Sequence, residues 1–254
     1  MSTHFLCSGW SYGARSGILD SMEIDEGVHA IESLGIGRVY IYQEQDRLTL
    51  IDTGLANSAD KIFAVIEKIG RKPEDLKQIF ITHHHRDHTG SLANVIERSN
   101  AQVFAHKIEA PVIRGDQPSP KPDANTLRSV LRPFIGSGAE IATAARVDRE
   151  LEDGDELDIG GGAKVLHVPG HTMGSVALFI PQHKILFAGD AAVSAIGLGP
   201  PAGPFGLFNE DSKQAIESFQ KLAELDFDRA FFGHGKPLDG EACTLFRRAA
   251  DQLS

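Results

Sequence analysis

Apolar positions along the chain follow two periods, one typical of strands and one typical of helices. Val39–Tyr42 and Leu48–Ile51 are apolar and rich in β-branched residues, and the polar stretch between them predicts a β-hairpin. Apolar residues then recur at helical spacing between positions 59 and 69, and Gly70 and Pro73 end this predicted helix. The chain therefore opens its patterned part with a hairpin followed by an amphipathic helix.

The alternation of strands and helices continues through the chain. Further strands are predicted at residues 79–81, 101–105, 156–159, 164–168, 176–180, 185–188 and 230–232. Further helices are predicted at residues 91–98, 213–225 and 244–253. This pattern favours an α/β layered protein. We expect one domain over residues 1–254, with a surface excursion at 107–150 whose part 111–133 is rich in Pro, Asp and Lys.

Two stretches repeat the same order of features. Val39–Asp52 and Val176–Asp190 each contain a strand, a polar turn, a second strand and a carboxylate close to a glycine. Such a repeat would arise from two related halves, each a sheet with helices outside. Hairpins that end in Asp also occur without such a repeat, so the two related halves are a hypothesis.

Composition narrows the classes of partner. Of the 254 residues, 41% are hydrophobic, which is enough for a sizeable core, and the formal net charge of −10 disfavours a nucleic-acid partner. The two cysteines, Cys7 and Cys243, argue against a disulfide framework and fit a reducing compartment. The first residues lack a signal-peptide pattern, and no apolar run reaches the roughly 20 residues of a membrane span. We expect a cytoplasmic protein that acts on a small molecule, away from membranes.

The heptapeptide Thr82-His-His-His-Arg-Asp-His88 concentrates metal-binding side chains in one place. Alternate side chains of an extended segment share a face, so His83 and His85 can point at one ion while His84 points away. After a turn, Asp87 and His88 can face a second ion. Imidazole and carboxylate groups suit zinc, and also iron and manganese.

Three more candidate ligands follow predicted strands further along the chain. They are His171, Asp190 and His234, and glycines beside His171 and His234 allow sharp turns. Loops beyond strand ends converge at one edge of a layered sheet, where α/β proteins usually place their sites. A site of this size would exceed the four closed ligands of structural zinc and leave room for water.

The order of these motifs resembles the metallo-β-lactamase superfamily, and the resemblance runs through most of the chain. It implies a four-layer αββα sandwich that binds two Zn²⁺ ions, with iron or manganese as alternatives. One metal would be held by His83, His85 and His171, and the other by Asp87, His88 and His234, with Asp190 bridging. The resemblance also implies that Asp52, within Leu50–Gly54, orients a ligand by hydrogen bonding.

The chemistry implied is hydrolysis. Our hypothesis is that a hydroxide shared by two metals attacks the carbonyl of an ester, lactone or thioester in a small, partly apolar substrate. Asp87 would orient the water and pass its proton to the leaving group. The alternatives are an iron-dependent sulfur dioxygenase with a mononuclear centre, a phosphodiester hydrolase, and a metal-binding protein without catalysis.

Departures from known branches of the superfamily narrow the expected substrate. The β-lactamases proper lack the bridging carboxylate, which Asp190 supplies here. Glyoxalase II enzymes place basic residues after that carboxylate and in a further helical domain, whereas residues 191–209 contain neither Lys nor Arg. Well-known lactonases have a tyrosine where this chain has Val193. We therefore expect a glyoxalase II-like or lactonase-like hydrolase and not a true β-lactamase.

The loop 191–208 is the expected substrate loop because it follows a ligand and is rich in Gly, Pro and apolar residues. Its apolar candidates are Val193, Ile196, Leu198, Phe205 and Phe208. The same loop could instead pack on the core or form a homodimer contact. Trp10 and Tyr12 are open to the same two interpretations, a lid or a subunit contact.

Overall fold

The structure is a computed structural model of the chain. It describes residues 21–25, 27–31, 34, 37–120, 142–194, 203–204 and 208–253. Six residues named above lie outside the described residues, namely Cys7, Trp10, Tyr12, Ile196, Leu198 and Phe205.

The first sheet of the described chain has seven strands, which are hydrogen-bonded in sequence order. They are β1 (Ser21–Asp25), β2 (Val28–Ile31), β3 (Val39–Gln43), β4 (Leu48–Ile51), β5 (Leu76–Ile81), β6 (Gln102–His106) and β7 (Arg149–Leu151). Pairing is antiparallel from β1 to β4 and parallel from β4 to β7. The carboxyl ends of β4, β5 and β6 therefore meet at one edge.

The second sheet has five strands in the described part of the chain, in the order β12-β11-β10-β9-β8. They are β8 (Glu156–Leu157), β9 (Ala163–His167), β10 (Val176–Ile180), β11 (Ile185–Gly189) and β12 (Arg229–Phe232). The pair β11–β12 is parallel, and the other neighbours are antiparallel. Because β9, β11 and β12 run in the same direction, their carboxyl ends also share one edge.

Helices and short turns connect the strands. The helices are α1 (Ala59–Lys68), α2 (Arg86–Thr89), α3 (Leu92–Ser99), α4 (Ala110–Ile113), α5 (Ser212–Ala223) and α6 (Ala242–Asp251). Two 3₁₀ turns lie at Pro73–Asp75 and Pro181–His183. No described helix has both the length and the apolar content needed to cross a membrane.

Three buried apolar clusters define four layers. One cluster joins the facing surfaces of the two sheets and contains Phe80 of β5 with Phe187 of β11. A second packs α1 and α3 on the outer face of the first sheet, where Ile79 lies. A third packs α5 and α6, through Phe219 and other aromatic side chains, on the outer face of the second sheet. Neighbours along β5 thus point into different clusters, as the two-residue period of a strand requires, and the expected αββα sandwich is confirmed.

The repeated order of features has a structural counterpart in the sheets. In the first sheet the antiparallel hairpin β3–β4 is followed by the parallel strand β5, and Asp52 comes directly after β4. In the second sheet the antiparallel pair β10–β11 is followed by the parallel strand β12, and Asp190 comes directly after β11. The two carboxylates thus occupy matching positions in the two halves.

Several short elements of the structure were not predicted from the sequence pattern. Strands β1 and β2 were not predicted, because Glu23, Asp25 and His29 interrupt their apolar pattern. The excursion expected at 107–150 has regular structure at both ends, since α4 buries Ala110 and Arg149 opens β7. Segments this short do not give a clear period.

A pair of stacked imidazoles on the sandwich gives a prediction about acid stability. The rings of His106 and His167 stack with centroids 4.3 Å apart. Burial and the neighbouring His167 lower the pKa of His106 to about 4, from an ordinary value of 6.5. The unfolded chain therefore takes up this proton first as the pH falls, so folded stability is lost between about pH 6.5 and pH 4.

We expect His106→Gln to remove this contribution. Its free energy of unfolding should fall less steeply over that pH window than the wild-type value, by up to one proton per molecule. Urea unfolding at several pH values measures the slope. The control is His183→Gln, which makes the same chemical change at an exposed histidine. Parallel slopes for wild type and His106→Gln would contradict the assignment.

Candidate metal centre

The heptapeptide lies where β5 ends, and a change of backbone direction brings its side chains together. His85 has an extended backbone, with φ −59° and ψ 147°, and α2 begins at the next residue. The amides of His88 and Thr89 then donate to the His85 carbonyl at 2.9 and 3.0 Å. Asp87 and His88 therefore turn back beside His83 and His85.

Three imidazoles form the first triplet, which we define as His83, His85 and His171. The Nδ1 atom of His85 lies 3.0 Å from Nε2 of His83 and 3.0 Å from Nε2 of His171. All three potential ligand atoms lie within 4.8 Å of one another. His83 and His171 are buried, whereas His85 is partly exposed.

The second triplet, Asp87, His88 and His234, lies beside the first. Its ligand atoms also lie within 4.8 Å of one another. Asp87 Oδ2 is 3.2 Å from Nε2 of His234 and 3.8 Å from Nε2 of His88. The two triplets thus form neighbouring pockets of ligand atoms, and both draw on the heptapeptide.

One oxygen of Asp190 lies between the triplets. Its Oδ2 atom is 3.3 Å from Nε2 of His171 and 3.2 Å from Nε2 of His234. The same atom is 3.6 Å from His88 Nε2 and 3.9 Å from His83 Nε2. The other oxygen, Oδ1, faces Gly233, where any Cβ would collide with it. Glycine at 233 therefore allows Asp190 to point a single oxygen at both triplets.

Burial and neighbouring charges shift the pKa values of the clustered histidines and carboxylates. Burial lowers the pKa values of His83 and His85 well below normal, and neighbouring histidines add to the effect. Burial opposes a charge on His88, but the carboxylates of Asp190 and Asp52 raise its pKa well above normal. Burial would raise the pKa of Asp190, yet the charge of His88 holds it well below normal. The centre therefore combines neutral imidazoles at His83 and His85 with a protonated His88 beside the ionised Asp190, and His88 would have to release its proton to bind a metal.

The donor set fits a pair of divalent cations. Among the described residues, His88 Nε2 is buried without a hydrogen-bond partner, and it lies 3.6 Å from Asp190 Oδ2. His85 Nδ1 meets two other imidazole nitrogens at 3.0 Å, and one proton cannot link all three atoms. A cation would satisfy these converging lone pairs, and nitrogen-rich sets with carboxylates suit zinc.

Asp52 hydrogen-bonds to the heptapeptide on the side away from the candidate ligand atoms. Its carboxylate accepts the Thr82 amide at 2.8 Å, the Thr82 hydroxyl at 2.8 Å and His88 Nδ1 at 2.7 Å. These bonds hold an unusual left-handed backbone at Asp52, with φ 61°. Fixing Nδ1 of His88 leaves Nε2 to face the cluster.

Asn209 is a site residue that the sequence interpretation missed. It is buried, and its Oδ1 atom lies 3.3 Å from Nδ1 of His171. Asp211, two residues later, caps α5 by accepting the Gln214 amide at 3.0 Å. A polar residue placed just before a helix cap was the available signal, although nothing local links position 209 to His171.

The remaining expected site residues are placed as follows. His84 turns away from the cluster and contacts the buried carboxylate of Glu109. Val193 and Phe208 are half-buried, and the Val193 amide donates to the Gly203 carbonyl at 2.8 Å.

Sequence comparison relates the chain to known hydrolases. The model of the metallo-beta-lactamase superfamily matches residues 33–234. A protein named probable metallo-hydrolase YflN of Bacillus subtilis is 31% identical over 242 residues, which cover 89% of this chain and 90% of that protein. A hydroxyacylglutathione hydrolase of Bartonella tribocorum is 28% identical over 198 residues, which cover 77% of this chain and 61% of that enzyme.

Solved structures share the fold. A metallo-beta-lactamase family protein of Thermus thermophilus aligns with a TM-score of 0.63 and 25% identity, over 91% of this chain and 79% of that one. The subclass B3 metallo-beta-lactamase BJP-1 of Bradyrhizobium japonicum aligns with a TM-score of 0.65 and 22% identity, over 92% of each chain, and at that identity it supports the fold alone. From its family match, its relatives and its fold, the chain belongs to the metallo-beta-lactamase superfamily and is a metal-dependent hydrolase.

Proposed function

We propose that the protein is a dinuclear zinc hydrolase that cleaves an ester, lactone or thioester. The observation that carries this proposal is the position of Asp190 Oδ2, which lies 3.2–3.3 Å from one histidine of each triplet. A mononuclear centre would need neither the second triplet nor a carboxylate shared between two sets. The proposed ligands are therefore seven residues, three from each triplet and Asp190. One zinc ion would bind in each triplet.

Two zinc ions in such a pair would supply an activated water and an electrophile for a carbonyl oxygen. Asp87 is the carboxylate best placed to handle the proton, since its side chain is 19% exposed against 3% for Asp190. Its Oδ2 atom contacts His234 Nε2 at 3.2 Å, which fixes its direction. Burial raises the pKa of Asp87, but His88 and His234 outweigh this effect and hold the pKa below normal, so the carboxylate is ionised. In that state it could orient the water and take up its proton.

The substrate is proposed to be a small acyl compound of low negative charge. The name of the Bartonella relative refers to an acylglutathione, which is a thioester. Glutathione carries two carboxylates, and residues 191–209 of this chain offer no Lys or Arg to bind them. The formal net charge of −10 further disfavours polyanionic phosphodiesters. Val193 and Phe208 are proposed to contribute to an apolar wall for the acyl group, and a homodimer remains a prediction.

A substrate panel tests the proposal. We expect the zinc-loaded protein to hydrolyse uncharged lactones or thioesters at least about tenfold faster, in kcat/KM, than S-acylglutathiones and bis(p-nitrophenyl) phosphate; a tenfold ratio corresponds to about 1.4 kcal/mol of differential transition-state binding. Chelator-treated protein, restored with zinc, is the control. One iron per chain with oxygen consumption on glutathione persulfide would instead support a sulfur dioxygenase.

A further inference from the structure

The carboxylate of Glu109 lies between two ligand-bearing loops, although Glu109 belongs to neither triplet. Glu109 follows β6 at the same sheet edge as the heptapeptide, and its side chain is 2% exposed. It lies 25 positions from His84 and 63 from Thr172, so the contact joins distant parts of the chain. A buried carboxylate costs free energy unless it is well hydrogen-bonded, so its partners indicate what it stabilises.

Each oxygen of Glu109 binds a different loop. Oε2 accepts the His84 amide at 2.7 Å and also contacts His84 Nδ1, between the ligands His83 and His85. Oε1 accepts the Thr172 hydroxyl and the Gly174 amide, each at 2.9 Å, directly after the ligand His171. One carboxylate thus connects both loops that build the first triplet.

The loop that follows His171 is shaped to receive the carboxylate of Glu109. A Cβ at position 174 would collide with Oε1 of Glu109, so only glycine leaves the space that the carboxylate fills. Ser175 Oγ contacts the Thr172 hydroxyl at 2.8 Å and accepts the Thr172 amide at 3.1 Å, which holds that hydroxyl in place. The contact therefore involves fixed groups on both sides.

We propose that Glu109 is a positioning residue for the first triplet, and this rests on the proposed function in assigning a metal to that triplet. By joining the two loops, Glu109 holds His171 at ligand distance from His83 and His85. The second triplet has a separate support, because Asp52 binds His88 Nδ1 at 2.7 Å. Glu109 therefore acts on one metal site and not on the other.

The test measures zinc affinity in two parent variants. His234→Ala leaves the first triplet as the intact set, and His171→Ala leaves the second. Glu109→Gln is added to each parent, and zinc dissociation constants are measured by chelator competition. In the His234→Ala parent we expect affinity to fall about 10- to 100-fold, the usual effect of losing a partner that orients metal ligands. In the His171→Ala parent we expect a change of less than about threefold.

Two further variants separate positioning from general destabilisation. Ser119→Ala is the matched control, because the exposed Ser119 hydroxyl contacts His84 Nε2 at 2.9 Å, on the opposite side of the ring from Glu109; it should leave both affinities unchanged. Thr172→Val removes one of the two hydrogen bonds to Oε1, together with the contact between the Thr172 and Ser175 hydroxyls, and decides the question if Glu109→Gln does not fold. We expect it to weaken zinc binding about fivefold in the His234→Ala parent alone.

The outcomes separate this inference from the proposed function. Equal losses in both parents, or unchanged affinity in the His234→Ala parent, would overturn the positioning role while leaving the metal centre intact. If neither parent nor the wild type binds zinc, the proposed metal centre itself is wrong, and the inference falls with it.

Discussion

Asp190→Asn is expected to lower kcat/KM about 1,000-fold and to cost the chain at least one bound zinc ion. Asp190 Oδ2 lies 3.2–3.9 Å from four imidazole nitrogens, two from each triplet. An amide carries no negative charge, so the substitution removes the charge that both metal positions share. A 1,000-fold loss corresponds to about 4 kcal/mol of transition-state stabilisation.

Zinc analysis and ester or thioester turnover of the purified variant check this expectation. Asp153→Asn is a matched control, because it makes the same chemical change at an exposed carboxylate that pairs with Lys221. The control should keep both zinc and activity. Wild-type zinc content and turnover in Asp190→Asn would remove the basis of a dinuclear centre.

Restoring zinc to the metal-free protein is expected to raise its melting temperature by about 10–20 °C. Each site filled at 100 times its dissociation constant adds about 2.7 kcal/mol to stability, and 1 kcal/mol shifts the melting temperature by about 2–4 °C in a chain of this size. The physical reason is that Asp190 Oδ2 lies 3.2–3.9 Å from four imidazole nitrogens, and that His88 Nε2 is buried without a hydrogen-bond partner among the described residues.

Differential scanning calorimetry at increasing zinc concentration measures this shift. Calcium, which prefers oxygen ligands, should produce little change. His234→Ala, which breaks the second triplet, should show about half of the wild-type shift, because one site remains. A shift of the same size with calcium would mean that the histidines do not bind the stabilising ion.

The sequence pointed to the candidate metal ligands but not to Asn209 and Glu109, which hydrogen-bond around them, and the reason is physical. His83, His85, Asp87 and His88 follow from local spacing alone, and the strand pattern points to His171, Asp190 and His234. Asn209 and Glu109 act through contacts 38 and 25 positions away, and no local period marks such contacts. The αββα layers were predictable because neighbouring residues in a strand point to opposite faces, whereas Glu23, Asp25 and His29 interrupt the apolar pattern of the short strands β1 and β2.

The substrate is the part that the strand and ligand patterns leave open. The chemistry of metal binding constrains seven side chains. No rule of spacing predicts which of residues 191–208 contact the substrate. Of their five apolar candidates, Val193 and Phe208 are described, and both are half-buried. Their exposure fits either a substrate wall or a subunit contact, so specificity has to be measured with substrates and not inferred from the fold.

Every complete ligand set among the described residues draws on both halves of the chain. His83 and His85 come from the first half, and their third partner His171 comes from the second; Asp87 and His88 likewise depend on His234. An isolated half would offer two ligands to each ion and bind it weakly. The ions would therefore cross-link the two sheets, so separating the halves would require both to dissociate. Metal release would then limit the rate of unfolding, and the loaded protein would resist proteolysis longer than its equilibrium stability alone implies.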